Sequence, residues 1–134
     1  MAGFRALIVD DSPTMRQLVK MALRRVPELT DCEEASNGAE ALKALKNGLF
    51  DIVLLDINMP LMDGLRLLDH IRADPSINTT LVVMLTTEGG REKTQDGLDR
   101  GADAYLAKPV KAPHVVSVVS DLLNGREPRS ASSS

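Results

Sequence analysis

Aromatic residues are scarce in this 134-residue chain, which has no tryptophan, one tyrosine and two phenylalanines. A flavin site would want aromatic rings against the isoalloxazine and a Ser/Thr-rich phosphate loop, and neither is present. The single cysteine, Cys32, forms no internal disulfide and has no second thiol for a metal cluster; it fits a reducing compartment and reads as a small buried hydrophobe. No apolar run approaches the roughly 20 residues of a membrane span, and Met1 to Arg5 lack the features of a secretory signal. Net charge is −3 with basic residues scattered among acidic ones, so there is no electrostatic stripe for direct nucleic-acid binding. The expectation is one soluble, cytoplasmic globular domain with no membrane insertion.

What the chain does have is alternation. Apolar blocks of strand length (Phe4 to Val9, Thr30 to Ser36, Asp51 to Leu55, Leu81 to Leu85, Asp103 to Ala107) are each followed by a segment long enough for a crossover helix. The first helix carries a stripe of Met15, Leu18, Val19, Ala22, Leu23 and Val26, the third Leu65, Leu67, Leu68 and Ile71, and the fifth Val115, Val116, Val119, Leu122 and Leu123. This predicts an α/β fold of five parallel strands and five helices. Strands one, three and four are continuously apolar and so covered on both faces, whereas TDCEEAS and the short strand around Tyr105 read as edges. With right-handed crossovers the order becomes 2-1-3-4-5, the flavodoxin-like doubly wound arrangement. Residues 125–134, GREPRSASSS, have no apolar period and are expected to form a disordered polar tail.

The stretch VLLDINMP poses the functional question, because an apolar run ends on a carboxylate, Asp56. Parallel strands lie roughly 4.8 Å apart, and ligands bind beyond their carboxyl ends. There Asp10 and Asp11 follow strand one, Asp56 strand three, Thr86 strand four and Lys108 strand five. Three carboxylates on one rim repel, and a hard divalent cation with oxygen ligands resolves the repulsion, magnesium above all where phosphate completes its shell. Taken singly, each residue has an ordinary reading. Asp11 or Ser12 suits a helix N-cap before Pro13, Asp56 a strand-end acid facing water, Thr86 another cap, and Lys108 before Pro109 a turn. Their simultaneous presence favours a site in which Asp56 is the nucleophile toward a phosphoryl group, with the cation, Lys108 and Thr86 supplying neutralisation and alignment. His70 and His114 fall within helices and read as solvated surface residues.

LIVDDSPTMRQLV, DIVLLDINMPLMDGLRLLDHIR, VVMLTTE and GADAYLAKPV, in this order and spacing, resemble the response-regulator receiver domain of two-component systems, in particular the stand-alone CheY-like chemotaxis type. The resemblance runs from residue 4 to about 124, giving a receiver domain over 1–124. It implies transfer of a phosphoryl group from the phosphohistidine of a histidine kinase to Asp56. Magnesium would be held by Asp11, Asp56 and the backbone carbonyl of Asn58, with Asp10 assisting through water, and Lys108 would meet the phosphoryl oxygens across a cis Lys108–Pro109 bond. It further implies that Thr86 and Tyr105 are switch residues. They would change the affinity of the face made by the fourth helix, fifth strand and fifth helix for a downstream target protein, with a phosphatase as a further partner. Tyr105 also reads as a plain edge-strand residue with its hydroxyl wet, and Gly64 as a helix-start glycine.

Three positions bear on tuning. Thr87 stands where the family usually has a small residue and adds bulk at the mouth of the site. Asn58 and Glu88 match the chemotaxis type, in which they accompany a short-lived phosphate. The fourth helix, EGGREKTQDGLDR, has Leu98 as almost its sole apolar anchor and carries Gly89, Gly90 and Gly97, each costing up to about 1 kcal/mol in a helix interior. It is expected to be weakly held. Rival readings are the receiver part of a longer regulator, a phosphorelay intermediate, and a phosphorylation-independent interaction module, though the last would be expected to lack one of Asp11, Asp56, Thr86 and Lys108.

Overall fold

Residues alternate across a pleated strand, so an apolar strand with both neighbours apolar supplies two cores at once. Phe4, Ala6 and Ile8 of β1 (Phe4–Val9) join one buried cluster, while Leu7 and Val9 join another on the opposite face. β3 (Ile52–Asp56) and β4 (Leu81–Thr86) divide in the same way, Leu54 and Val83 to one side and Val53 and Met84 to the other. The computed structural model describes residues 3–59, 63–87 and 91–129. The remaining elements are α1 (Pro13–Leu23), β2 (Leu29–Ala35), α2 (Gly38–Asn47), α3 (Gly64–Ala73), α4 (Arg91–Asp99), β5 (Ala104–Ala107) and α5 (Ala112–Leu123). All strand pairs are parallel, in the order β2-β1-β3-β4-β5, as the alternation and crossover rule predict. Val19, Ala22 and Leu23 of α1 and Val115, Val119 and Leu123 of α5 cover one face, and Leu45 of α2, Leu67, Leu68 and Ile71 of α3 and Leu98 of α4 the other. At about 1.5–3 kcal/mol for each large apolar side chain fully buried, these two layers are the main stabilising term.

Several expectations need correction. Leu18 is 45% exposed. The buried stripe of α1 is Val19, Ala22 and Leu23, and at 100° per residue Leu18 lies on its flank. Asp56 does not follow strand three but ends it, paired with Leu85, and Ile57 carries the ladder one bond further by donating to the Leu85 carbonyl. Cys32 is half-buried on the edge strand, and burial pushes its thiol up to about 11.

The polar tail also departs from expectation over residues 125–129. Arg129 reaches back beneath the sheet, its backbone N–H donating to Asp51 Oδ1 at 2.7 Å and its guanidinium to Thr80 Oγ1 at 2.7 Å, the Ser76 carbonyl at 2.8 Å and the Phe50 carbonyl at 3.4 Å. Asp51, buried immediately before β3, accepts a second backbone bond from Arg5 N at 2.8 Å. Composition pointed to disorder because this segment brings no apolar side chain; it is instead held by hydrogen bonds to acceptors that the fold leaves at its lower end. Residues 130–134 lie outside the described residues.

Gly97 is a further correction. It is buried in α4 against Met84 of β4, where a Cβ would fall 2.0 Å from Sδ and 2.5 Å from Cε. A glycine that looked like a weak point lets the helix lie close on the sheet. Gly89 and Gly90 lie outside the described residues.

Candidate functional site

The carboxyl ends of β1, β3, β4 and β5 form one rim, and the sheet brings the predicted residues there together. Asp10 follows β1, and its N–H donates to the Ala35 carbonyl at 3.1 Å. Ser12, extended and accepting from Met15 N, is the N-cap of α1 with Pro13 at the first helical position, so capping falls to Ser12 and leaves Asp10 and Asp11 for other work. Asp10 is fully buried, and its Oδ1 accepts from Ser12 N at 2.9 Å. Asp56, also buried, accepts from Asn58 N through Oδ1 at 3.0 Å. Asp11 is exposed, and one oxygen from each of Asp10, Asp11 and Asp56 lies within 4.8 Å of the others.

Among the described residues, one ammonium faces this group. Lys108 Nζ is 3.3 Å from Asp56 Oδ2 and 3.5 Å from Asp10 Oδ2. Its backbone is tied to β4, Lys108 N donating to the Thr86 carbonyl at 2.6 Å; the following peptide to Pro109 is cis. Asp10 Oδ2 has no hydrogen bond even so, because Lys108 sits within ion-pair reach but outside hydrogen-bonding geometry. Burial is the main cause holding the Asp10 carboxyl above its usual range; the Ser12 bond opposes it and the Asp56 charge adds to it. Two unit charges 4.8 Å apart in a medium of effective dielectric about 20 repel by roughly 3.5 kcal/mol, too much for one shared lysine to cancel across three acids. An orphaned, buried carboxylate oxygen beside two further acids is the donor set that a small hard cation takes, so the residues fit a magnesium ion held by Asp10, Asp11 and Asp56.

The other predicted residues are distributed as follows. Thr86 is buried at the end of β4 beside the rim, Thr87 is exposed immediately after it, and Asn58 is exposed two residues beyond Asp56. Tyr105 is 48% exposed on β5 and pairs in register with Met84. Glu88 lies outside the described residues. His70 and His114 are exposed on α3 and α5.

Two neighbours complete the rim: Gly64, read in the sequence as a helix-start glycine, and Arg16, which was not singled out there. Gly64 opens α3 against the backbone of Asp56, and a Cβ there would stand 2.5 Å from the Asp56 carbonyl oxygen, so close approach fixes glycine at that position. Arg16 donates from Nη1 to the Asp10 carbonyl at 2.6 Å and from Nε to Glu34 Oε1 at 3.0 Å. Its signal was available: a cation near the start of α1 opposes the helix dipole and so calls for an acceptor outside the helix.

The chain matches the response regulator receiver domain description over residues 6–120. It belongs to the response regulator receiver family. It is 43% identical over 110 residues to the chemotaxis protein CheY-3 of Vibrio cholerae serotype O1, an alignment covering 82% of this chain and 84% of that protein. The high-resolution structure of the chemotaxis response regulator CheY4 of Vibrio cholerae superposes with a TM-score of 0.82 at 33% identity, covering 91% of this chain and 100% of that one. A response regulator from Chloroflexus aurantiacus J-10-fl superposes with a TM-score of 0.85 at 31% identity, over 91% of this chain and 98% of that one. This receiver is therefore CheY-like in sequence and in fold, with an acidic rim of the kind its family uses for magnesium. No helix among its described residues is long and apolar enough to cross a membrane.

Proposed function

We propose that this receiver accepts a phosphoryl group on Asp56 from the phosphohistidine of a histidine kinase, in chemotaxis or motility signalling. The observation that carries the reading is the buried Asp56 carboxylate with Lys108 Nζ at 3.3 Å, beside an Asp10 oxygen left without a hydrogen bond. An Asp56 carboxylate oxygen attacks phosphorus, the bond from phosphorus to the donor's ring nitrogen breaks with its electron pair returning to the imidazole, and an acyl phosphate forms. Asp10, Asp11, Asp56 and the Asn58 carbonyl would hold magnesium, which supplies charge neutralisation for the phosphoryl oxygens when bound. Lys108 stabilises the same oxygens from the end of β5. Hydrolysis of the acyl phosphate by water, autodephosphorylation, resets the switch.

The readout is a protein contact. Thr86 stands at the rim and Tyr105 lies one strand away, half-exposed on the α4-β5-α5 face, so a Thr86 hydroxyl drawn toward a phosphoryl group frees space into which the Tyr105 ring turns. The altered face then binds a downstream target, and a phosphatase acting at the rim shortens the signal. Thr87, exposed at the mouth, limits access of the donor. The deciding experiment is the intact mass of the protein incubated with magnesium and a small phosphodonor, beside Asp56→Asn. A phosphoryl adduct on the parent alone, decaying quickly, supports the reading. A parent that binds magnesium yet forms no adduct would sink it in favour of a phosphorylation-independent module.

A further inference from the structure

Arg16 does no chemistry in the scheme above, yet its side chain is only 16% exposed and its guanidinium is committed on two sides. Nη1 donates to the carbonyl of Asp10 at 2.6 Å, and Nε donates to Glu34 Oε1 of β2 at 3.0 Å. Glu34 is held in turn by Lys20 Nζ, one helical turn further along α1, at 3.4 Å to its other oxygen. The neighbouring residue of β2, Ala35, accepts the Asp10 N–H at 3.1 Å. Asp10 is thus bracketed: edge strand β2 holds its amide directly and holds its carbonyl through Arg16.

That carbonyl belongs to the planar peptide joining Asp10 to Asp11. Fixing its oxygen fixes the plane, and with it the backbone angles that aim the two side chains. Without the bracket this peptide could rotate and carry both carboxylates away from Asp56, relieving the repulsion by dispersal instead of by taking a cation. Pure electrostatics says the opposite about Arg16. A guanidinium near three acids lowers their attraction for a dication, so a residue serving only as a charge would weaken metal binding. A site that tolerates an adverse charge at that place needs the geometry the charge brings. Arginine suits this because its rigid fork presents donors in two directions, onto a carbonyl and a carboxylate, where a lysine ammonium is a single point.

We propose that Arg16, oriented by Glu34, is a positioning residue that fixes the Asp10–Asp11 peptide and so assembles the cation site. The inference rests on the reading of that site as a magnesium site. Its test is direct binding of manganese as a magnesium stand-in, followed by electron paramagnetic resonance of the free ion, on the full chain, on Arg16→Gln, Arg16→Lys and Glu34→Ala, and on the double variant Arg16→Gln with Glu34→Ala. Circular dichroism and melting without divalent ions check the fold, and if Arg16→Gln fails to fold, Arg16→Lys and Glu34→Ala decide. Expected are a three- to tenfold weaker affinity for both Arg16 variants, the charge-keeping lysine giving no full rescue, and a smaller weakening for Glu34→Ala that adds nothing to Arg16→Gln in the double variant. Folded Arg16 variants that bind manganese as tightly as the parent, or more tightly, as loss of a positive charge alone would produce, overturn the inference while leaving the site intact. A parent chain that takes no manganese overturns both this inference and the reading beneath it.

Discussion

Gly97 and Met84 share a space that holds one of them only without a side chain: a Cβ on the glycine would lie 2.0 Å from the methionine sulfur, in the layer between α4 and β4. Two effects oppose each other on Gly97→Ala. Helix propensity favours alanine by up to about 1 kcal/mol, and overpacking a full core layer costs about 1–3 kcal/mol. Packing should win because Met84 is fully buried, so shifting its far end disturbs the neighbours that enclose it. We expect a net loss of about 1 kcal/mol in urea unfolding, shrinking or reversing when Met84 is shortened to Val. An alanine variant more stable than the parent would mean that the layer is looser than it looks.

Asp10 carries a stability cost in the metal-free protein. Its folded-state carboxyl is raised above the ordinary 3.8, chiefly by burial, so the folded chain holds this proton more tightly than the unfolded chain does. Ionisation therefore opposes folding: the contribution is absent below 3.8, grows as pH rises toward the folded value, and persists at neutral pH. Asp10→Asn should melt higher than the parent at pH 7 without divalent ions, by about 4 °C for each kcal/mol recovered, with the gap closing toward pH 4. Millimolar magnesium should stabilise the parent more than the variant, narrowing the gap at neutral pH. Equal melting points at pH 7 without metal would show that the orphaned oxygen costs nothing.

The clasp at the other end of the sheet gives a graded expectation. Arg129→Ala removes the guanidinium bonds to Thr80, Ser76 and Phe50 but keeps the backbone bond to Asp51, whereas truncation after Asn124 removes both. We expect a loss of about 1 kcal/mol for the substitution and about 2–3 kcal/mol for the truncation, since the second leaves a buried carboxylate short of a partner. Chemical denaturation of the three proteins ranks them. Indistinguishable midpoints would indicate that the segment contributes nothing in solution.

Helix α4 should exchange its amide hydrogens unevenly. Its far end is tied down, with Arg100 just past the helix pairing with Asp96 of α4 and Asp69 of α3, and the Gly101 carbonyl taking two bonds from Arg72. The first turns bring no comparable apolar anchor, Leu98 being the nearest. Hydrogen exchange should find the amides of 95–99 slower than those of 91–94, and all of them faster than the core of α1. Protection along α4 equal to that of α1 would remove mobility of this helix from the switching account.

The layer order and the crossovers were legible because β1, β3 and β4 are apolar on both faces, a pattern that only a doubly covered parallel sheet satisfies. The rim was legible because strand ends in such a sheet have nowhere else to converge. What escaped depends on pairings between distant residues that have no periodic signature. Arg16 sees Glu34 only once β1 and β2 lie side by side, and Arg129 finds Asp51 only across 78 positions of chain. Gly97 was misread for a related reason, since propensity describes a helix alone in water and this one lies on Met84. Leu18 shows the same limit in reverse: its hydrophobicity was visible, and its position on the flank of the helix decided its exposure.

Tyr105, half-exposed on β5 and the sole tyrosine in a chain without tryptophan, is also a ready-made optical reporter. Ultraviolet emission excited in this protein comes almost wholly from one ring, on the face proposed to change with phosphorylation. Quenching by a neutral solute such as acrylamide, read before and after addition of a phosphodonor, would follow the burial of that ring with no label introduced and no residue replaced.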